Sequence, residues 1–163
     1  MIARAVFYLS LFSVFLSSCQ SDGGSDLQPL DLMQYNIPLT IQAPDSVNVK
    51  TMDLVVQKDV TVRGATDENY YVQIYASDAA TNDLAQAKAE QLSEVKSNRY
   101  FSKIVEEEDA GFIYENKIDS TTNYGFRYIH LQGDQQYVFQ TGLIGNFTQE
   151  SAKRMYDAVQ QGK

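Results

Sequence analysis

Residues 124–141 read YGFRYIHLQGDQQYVFQT, two runs of aromatic and β-branched residues on either side of a polar turn. Similar runs lie upstream at 101–107 and 112–115, where only four residues connect them. Aromatic and β-branched runs of this length are typical of strands. Because a parallel return needs a crossover of about a dozen residues, these short connections predict antiparallel neighbours. The segment 101–141 therefore predicts a β-meander.

Strands are also predicted before the meander. Residues 37–43 alternate apolar and polar positions, the pattern of a half-buried strand. Residues 53–63 contain the apolar runs 54–56 and 60–62, and residues 70–76 read YYVQIYA. These runs extend the predicted sheet towards the N-terminus.

Two helices are predicted, one before the meander and one after it. Asp83 is the expected N-cap of the first helix and Thr148 that of the second. The apolar stripe of the first consists of Ala85, Ala89, Leu92 and Val95. That of the second consists of Ala152, Met155, Tyr156 and Val159. An antiparallel sheet packed with two amphipathic helices is an α+β fold.

Composition excludes several classes of function. The chain has 163 residues, a length that fits one domain. Its 13 Lys+Arg and 21 Asp+Glu give a formal charge of −8, which argues against a nucleic-acid partner. Its single Cys excludes a disulfide within the chain and any multi-cysteine metal site. No cofactor is expected, since no phosphate-binding Gly loop or zinc-protease motif is present.

The N-terminus has the layout of a secretory signal. Arg4 precedes an apolar stretch at 5–16, and small residues follow up to Cys19. The stretch is shorter than the ~20 residues that a spanning helix needs. The end of this segment, LSSC at 16–19, resembles the bacterial lipobox, which implies that the Cys19 sulfur carries a diacylglycerol and that further acylation follows.

The predicted domain boundaries follow from this signal. Residues 1–18 are a lipoprotein signal peptide, and 19–32 are the lipidated Cys and a flexible polar tether. Residues 33–163 form the folded domain. Gln20 after the Cys resembles lipoproteins sent to the outer membrane, with the periplasmic and surface-facing orientations both open.

The order of elements carries a resemblance to a known family. It rests on the strand and turn at 41–44, a Tyr-rich strand leading into a helix with Asp83 and Lys88, the meander 101–139 and the closing segment 147–152. Over 33–161 the chain resembles the PsbP-like fold shared with DcrB-like envelope lipoproteins, an α/β/α sandwich. Its aromatic strands and acidic surface also resemble lipoproteins of Bacteroidetes.

The resemblance implies a binding or assembly role rather than an enzyme. The chain is therefore predicted to be a non-enzymatic cell-envelope protein, attached to the membrane through its lipid anchor. A protein of the envelope is the expected partner, and the ligand and oligomeric state are open. The alternative is a metal- or ligand-dependent hydrolase that uses His130 or the acidic run at Glu106.

The acidic run at 106–109 is the candidate metal site. Oxygen ligands suit calcium, and alternate residues of a strand face the same way. Glu106 and Glu108 are therefore expected to converge, with Asp109 nearby and Glu107 pointing away. An exposed hairpin end without a cation explains the same residues.

His130 is the candidate general base, with a carboxylate and a hydroxyl nucleophile nearby in sequence. The carboxylate is Asp119 or Asp134, and the nucleophile is Ser120 or Thr121. A structural His packed between aromatic residues is the competing interpretation.

Tyrosines supply the candidate binding surface. The four side chains expected to share a face are Tyr71, Tyr75, Tyr114 and Tyr128. Their rings offer apolar area with a polar tip, which suits binding as well as covering a sheet.

Overall fold

The chain folds into nine strands and two helices in the computed structural model, which describes residues 27–160. The strands are β1 Leu27–Asp31, β2 Thr40–Pro44, β3 Val47–Asp53, β4 Lys58–Gly64, β5 Tyr71–Asp78, β6 Phe101–Glu108, β7 Gly111–Ile118, β8 Thr121–Gln132 and β9 Gln135–Thr141. The helices are α1 Leu84–Ser97 and α2 Gln149–Val159, and Met33–Tyr35 is a single 3-10 turn.

Seven strands form one antiparallel sheet in the order β3-β4-β5-β9-β8-β7-β6. Strands β6 to β9 are consecutive antiparallel neighbours, so the predicted meander is confirmed. Strands β1 and β2 form a separate antiparallel hairpin. With two helices packed on the sheet, the predicted α+β class is confirmed.

The two helices lie on opposite faces of the sheet. Phe112 and Tyr114 of β7 cluster with Val95 of α1, whereas Ile113 between them belongs to the core beneath α2. Side chains alternate along a strand, so these two sets must point to opposite faces. The β1–β2 hairpin shares the core with α2. The resemblance to the PsbP-like family stays a prediction.

Helix α2 covers the larger core, as its sequence pattern predicts. Its four stripe residues, including Met155 and Tyr156, are buried. The Tyr156 ring packs edge-on against Phe126 and Tyr128, with ring centroids 5.9 Å and 6.1 Å apart. The Thr148 side chain accepts a hydrogen bond from the Ser151 amide, which confirms the predicted N-cap.

The predicted face of α1 is right at Leu92 and Val95 and wrong at Ala85 and Ala89, and its predicted N-cap is right. Asp83 accepts hydrogen bonds from two amides of the first turn. However, Ala85 and Ala89 are exposed, and Ala87 and Val95 are buried. Small alanines occur on both faces of this helix, so spacing alone did not determine which alanines the sheet covers.

The apolar run 54–56 is also not part of a strand. It forms the tip of the β3–β4 hairpin, where Val55 and Val56 are exposed and the Leu54 amide bonds to the Gln57 carbonyl. The strand that precedes the tip, Val47–Asp53, went unpredicted because its side chains are mostly polar.

The boundary predicted between tether and domain at residue 33 is wrong. Residues Leu27–Asp31 pair with β2, and Leu32 is fully buried. The fold thus includes residues from 27 onward. The signal peptide at 1–18 and the lipidation site at Cys19 lie outside the described residues. Within 27–160, neither helix is both long and apolar enough to cross a bilayer.

The face of α1 can be tested with one substitution at two positions. Ala87→Asp places an unpaired carboxylate under the helix and should lower the free energy of unfolding by about 3 kcal/mol or more. Ala89→Asp, in the same helix but exposed, should change it by less than about 0.5 kcal/mol. Urea unfolding of both variants measures the difference, and equal losses would contradict this packing.

Candidate functional site

The sheet face on the α1 side carries a row of polar side chains. Strand pairing aligns Thr61 of β4 with Gln73 of β5, Gln73 with Gln140 of β9, and Gln140 with Arg127 of β8. Opposed residues of neighbouring strands point to the same face, so the four side chains are adjacent. The opposite face, under α2, is apolar at the corresponding strand positions.

Two glutamines at the centre of this row are buried and hydrogen-bonded to each other. The Gln140 Nε2 donates to Gln73 Oε1 at 3.3 Å, and the Gln73 Nε2 donates to Asp59 Oδ2 at 2.7 Å. Asp59 Oδ1 is buried without a hydrogen-bond partner in the described part of the chain. Amides buried in this way cost free energy unless they are paired, so the row is a specific polar network.

Two glycines beside the row leave space for aromatic rings. A Cβ at Gly125 would lie 2.6 Å from the Tyr114 ring, and a Cβ at Gly142 would overlap the Tyr71 ring. Each ring occupies space that a side chain at the glycine position would need. Tyr114 and both glycines line a small cavity between β7, β8, β9 and the end of α1.

The cavity has a volume of about 210 Å³. Its lining consists of Asn98, Tyr114, Asn116, Asn123, Tyr124, Gly125, Arg127, Gln140, Thr141, Gly142, Leu143 and Phe147. Amide, hydroxyl and guanidinium groups therefore dominate among its side chains. Sites of drug-sized ligands run to about 300–1,000 Å³, so this cavity suits a smaller molecule.

Arg127 is the charged group of the cavity. Its side chain is 12% exposed, and the nearest carboxylate oxygen in an ion pair, Glu94 Oε1, is 3.9 Å away. Its Nε and the Asn116 Oδ1 are buried without hydrogen-bond partners among residues 27–160. A guanidinium is a planar donor that matches a carboxylate or phosphate, so the cavity can bind a small anion.

The predicted set of tyrosines is divided between the two faces. Tyr71, Tyr75 and Tyr114 lie on the α1 side, so three of the four share a face. Tyr128 lies on the other side, buried against Tyr156, which corrects the prediction. Burial raises the pKa of Tyr75; nearby Asp59 raises it further, and Arg127 opposes both. Tyr75 therefore lies in the electrostatic field of the polar row.

The side chains of the acidic run alternate between the two faces of the sheet as predicted, but they contact residues of the two helices. Glu106 lies 3.6 Å from the ammonium of Lys153, and Glu108 accepts from the Tyr156 hydroxyl at 3.1 Å. Glu107 points the other way and pairs with Lys88 on α1 at 3.1 Å. Asp109, at the turn, is exposed.

No group of three or more potential metal ligands comes together within residues 27–160. Glu106 and Glu108 contact α2 and its C-cap residue, so these two carboxylates hold β6 against the helix.

The structure separates His130 from its predicted nucleophiles. Ser120 and Thr121 are at one end of β8, and His130 is near the other end. Nine residues along a strand span roughly 30 Å, far beyond hydrogen-bond reach. Asp119 lies at the distant end as well, so the predicted constellation does not form with Asp119, Ser120 or Thr121.

The surroundings of His130 are those of a packed residue. Its ring lies 6.3 Å from the buried ring of Tyr137, and it is half-buried. Burial lowers the pKa of His130 below 6.5, and a hydrogen bond with Gln132 offsets part of this effect. The imidazole is thus neutral at physiological pH.

Sequence reasoning missed the polar row and Arg127. The sequence signal that could have found them is the alternation of side chains along a strand. Gln73 and Gln140 are polar residues inside otherwise apolar runs, and Arg127 lies between Phe126 and Tyr128. Which of these positions meet depends on the pairing of β5 with β9, which no local pattern specifies.

Comparison of the chain with protein-family models gives no match, and comparison with curated proteins gives none either.

The burial of His130 predicts a pH dependence of stability. A lowered pKa in the folded state means that stability is fully present above pH 6.5 and is lost as the pH falls through the folded pKa. We expect less resistance to urea at about pH 5.5 than at about pH 7.5, before most carboxylates titrate. His130→Gln should remove most of this difference, and an unchanged difference would contradict the assignment.

Proposed function

We propose that this chain is a lipid-anchored protein of the cell envelope that binds a small anionic ligand in the cavity beside α1 and does not catalyse a reaction. The observation that carries the binding role is the Arg127 guanidinium, which is largely buried and whose one ion-pair partner among residues 27–160, Glu94, is 3.9 Å away. A buried charge without a close partner is costly. An anion in the cavity would compensate it.

The ligand chemistry follows from the lining of the cavity. A carboxylate or phosphate would pair with Arg127, while side chains such as Asn98, Asn116 and Gln140 would bond the other polar atoms of the ligand. The Tyr114 ring offers one apolar wall. This set discriminates by charge and hydrogen bonding, as binding sites for small polar molecules do.

The envelope location rests on the sequence. An apolar stretch of signal-peptide length ends at residue 16, and two serines separate it from Cys19, the only Cys of the chain. A residue with several acyl chains is held stably at a membrane without a spanning helix. We place the protein at the outer membrane, where an envelope protein that delivers or receives the ligand is the expected partner.

The lipid anchor is tested by replacing its attachment residue. Wild-type protein should sediment with membranes and carry an acylated N-terminal Cys by mass spectrometry. Cys19→Ser should appear in the soluble fraction, since the thiol that accepts the diacylglycerol is lost. Equal membrane retention of the variant would contradict the anchor.

The ligand site is tested with a panel of small carboxylates and phosphate esters in a thermal unfolding assay. A compound that binds the folded state at about 100 times its Kd adds roughly 2.7 kcal/mol to the free energy of unfolding. We expect at least one such compound to stabilise the wild type and to lose this effect in Arg127→Gln.

Arg63→Gln is the matched control, because Arg63 is an exposed guanidinium over the Tyr71 ring, outside the cavity lining. It should respond to the ligand as the wild type does. Stabilisation that depends equally on both arginines would reflect the charge of the face rather than the cavity.

A further inference from the structure

Three loops lie close together at the mouth of the cavity, at one end of the sheet. They are the α1–β6 connection with the last two residues of α1 (96–100), the β7–β8 turn with the adjoining strand ends (117–121) and the β9–α2 loop (142–147). Asn98 and Leu143 line the same cavity. The Lys117 amide donates to the Tyr100 carbonyl at 2.8 Å, which joins the first loop to the second. We call this end of the molecule the cavity end.

The cavity end exposes large aliphatic side chains. Leu143 is 74% exposed, Ile144 is 81% exposed, and Ile118 on the neighbouring turn is 39% exposed. The loop that carries the first two is fixed at its base, because Asn123 donates to the Gly145 carbonyl at 3.2 Å and accepts from the Phe147 amide at 2.7 Å. Exposed aliphatic residues on a fixed loop are typical of a docking surface.

The chain enters the described fold at this same end. Leu27 pairs with Pro44 and lines a groove with Asp67, whose carbonyl accepts from the Tyr70 amide. The next residue, Tyr71, accepts from the Gly142 amide at 2.8 Å. The first described residue and the loop 142–147 therefore lie at the same end of the sheet.

Charge distinguishes the cavity end from the far end. The three loops of the cavity end carry three cations and one carboxylate, namely Lys96, Arg99, Lys117 and Asp119. The far end consists of the connections 53–58, 78–83, 106–111 and 132–135. These carry eight carboxylates and one cation. Two helix lysines also pair with far-end carboxylates, Lys88 with Glu107 and Lys153 with Glu106, and carboxylates still outnumber cations there.

Two further loops reach the cavity end, residues 45–46 between β2 and β3 and residues 65–70 between β4 and β5. Their carboxylates bring the net charge of this end close to zero. The two loops contain Asp45, Asp67 and Glu68, of which Asp67 pairs with Arg154 at 2.6 Å. Anionic lipid therefore repels the far end more than the cavity end, and it attracts the side with Lys96, Arg99 and Lys117.

We infer that the cavity end rests on the surface of a lipid bilayer, with the Leu143 and Ile144 side chains in the interfacial region. This orientation rests on the proposed function, because it requires the anchor at Cys19. From Cys19 to Leu27 an extended chain spans at most roughly 29 Å, so the anchored domain stays within reach of the bilayer.

The anchor and the loop act together. Two exposed aliphatic residues bind a bilayer weakly by themselves, as single short apolar insertions do. The anchor raises the effective concentration of the loop at the membrane, so a weak contact is populated. Since the anchor's reach would allow either end to touch lipid, the charges determine which end docks.

The orientation is tested by fluorescence quenching at two labelled positions. Asn146→Cys, next to the aliphatic pair, and Val55→Cys, at the far end, each receive an environment-sensitive fluorophore. In the acylated protein the Cys19 sulfur is blocked, so only the introduced thiol reacts. The lipidated full chain is reconstituted in vesicles of phosphatidylethanolamine and phosphatidylglycerol whose acyl chains are brominated.

We expect brominated lipid to quench the label at position 146 and to leave the label at 55 unquenched. Leu143→Ser with Ile144→Ser should abolish the quenching at 146, whereas Leu54→Ser with Val56→Ser should leave it unchanged. Replacing phosphatidylglycerol with phosphatidylcholine should reduce it, since each basic residue at an anionic surface contributes a factor of roughly five to association.

Each other outcome overturns the orientation. Quenching at 55 alone would assign docking to the far end, and equal quenching, or none at either site, would show that neither end is preferred. Failure of the proposed anchor is distinguishable, because the protein would then not float with vesicles and would take a second label at the free Cys19 thiol. That result removes the anchor and, with it, the docking of the cavity end.

Discussion

The pairing of β5 with β9 holds the sheet together. Its seven aligned positions, from Val72 opposite Thr141 to Asp78 opposite Gln135, join the N-terminal strands β3 to β5 to the meander β6 to β9. Helix α1 and three strands intervene in sequence, so this contact closes a long loop and depends on the hydrophobic burial that accompanies it. It also creates the polar row, because Gln73 meets Gln140 only across this seam.

The two faces of the sheet have different chemistry. Under α2 the side chains are aromatic and aliphatic, and Tyr156 fills the space between Phe126 and Tyr128. Beside α1 the apolar cluster is small, formed by residues such as Val95, Phe112 and Tyr114, and polar groups occupy the adjoining strands. Hydrophobic burial scales with the apolar area removed from water, so the α2 face supplies most of the stability.

Local patterns predicted the features that local physics determines. The aromatic and β-branched runs of β5 and β7 to β9, the caps Asp83 and Thr148 and the α2 stripe follow from period and hydrogen bonding, and the structure has them. Features decided by distant partners were not predictable. The covered face of α1 depends on the sheet beneath it, and β1 is a strand because β2 pairs with it. Arg127 is a candidate site residue because the register between β8 and β9 places it beside Gln140.

The polar row places polar side chains at buried positions of the α1 face, whereas the α2 face is stabilised by apolar side chains at its buried positions. A sheet built only for stability would place apolar residues at Gln73 and Gln140, because buried amides contribute little net free energy even when they bond each other. Asp59, Asn116 and Arg127 each keep a buried polar atom without a partner in the described part of the chain, which adds further cost. Departures of this kind are expected at functional sites, where selection acts on binding. Because the α2 face supplies most of the stability, the α1 face can bear this cost.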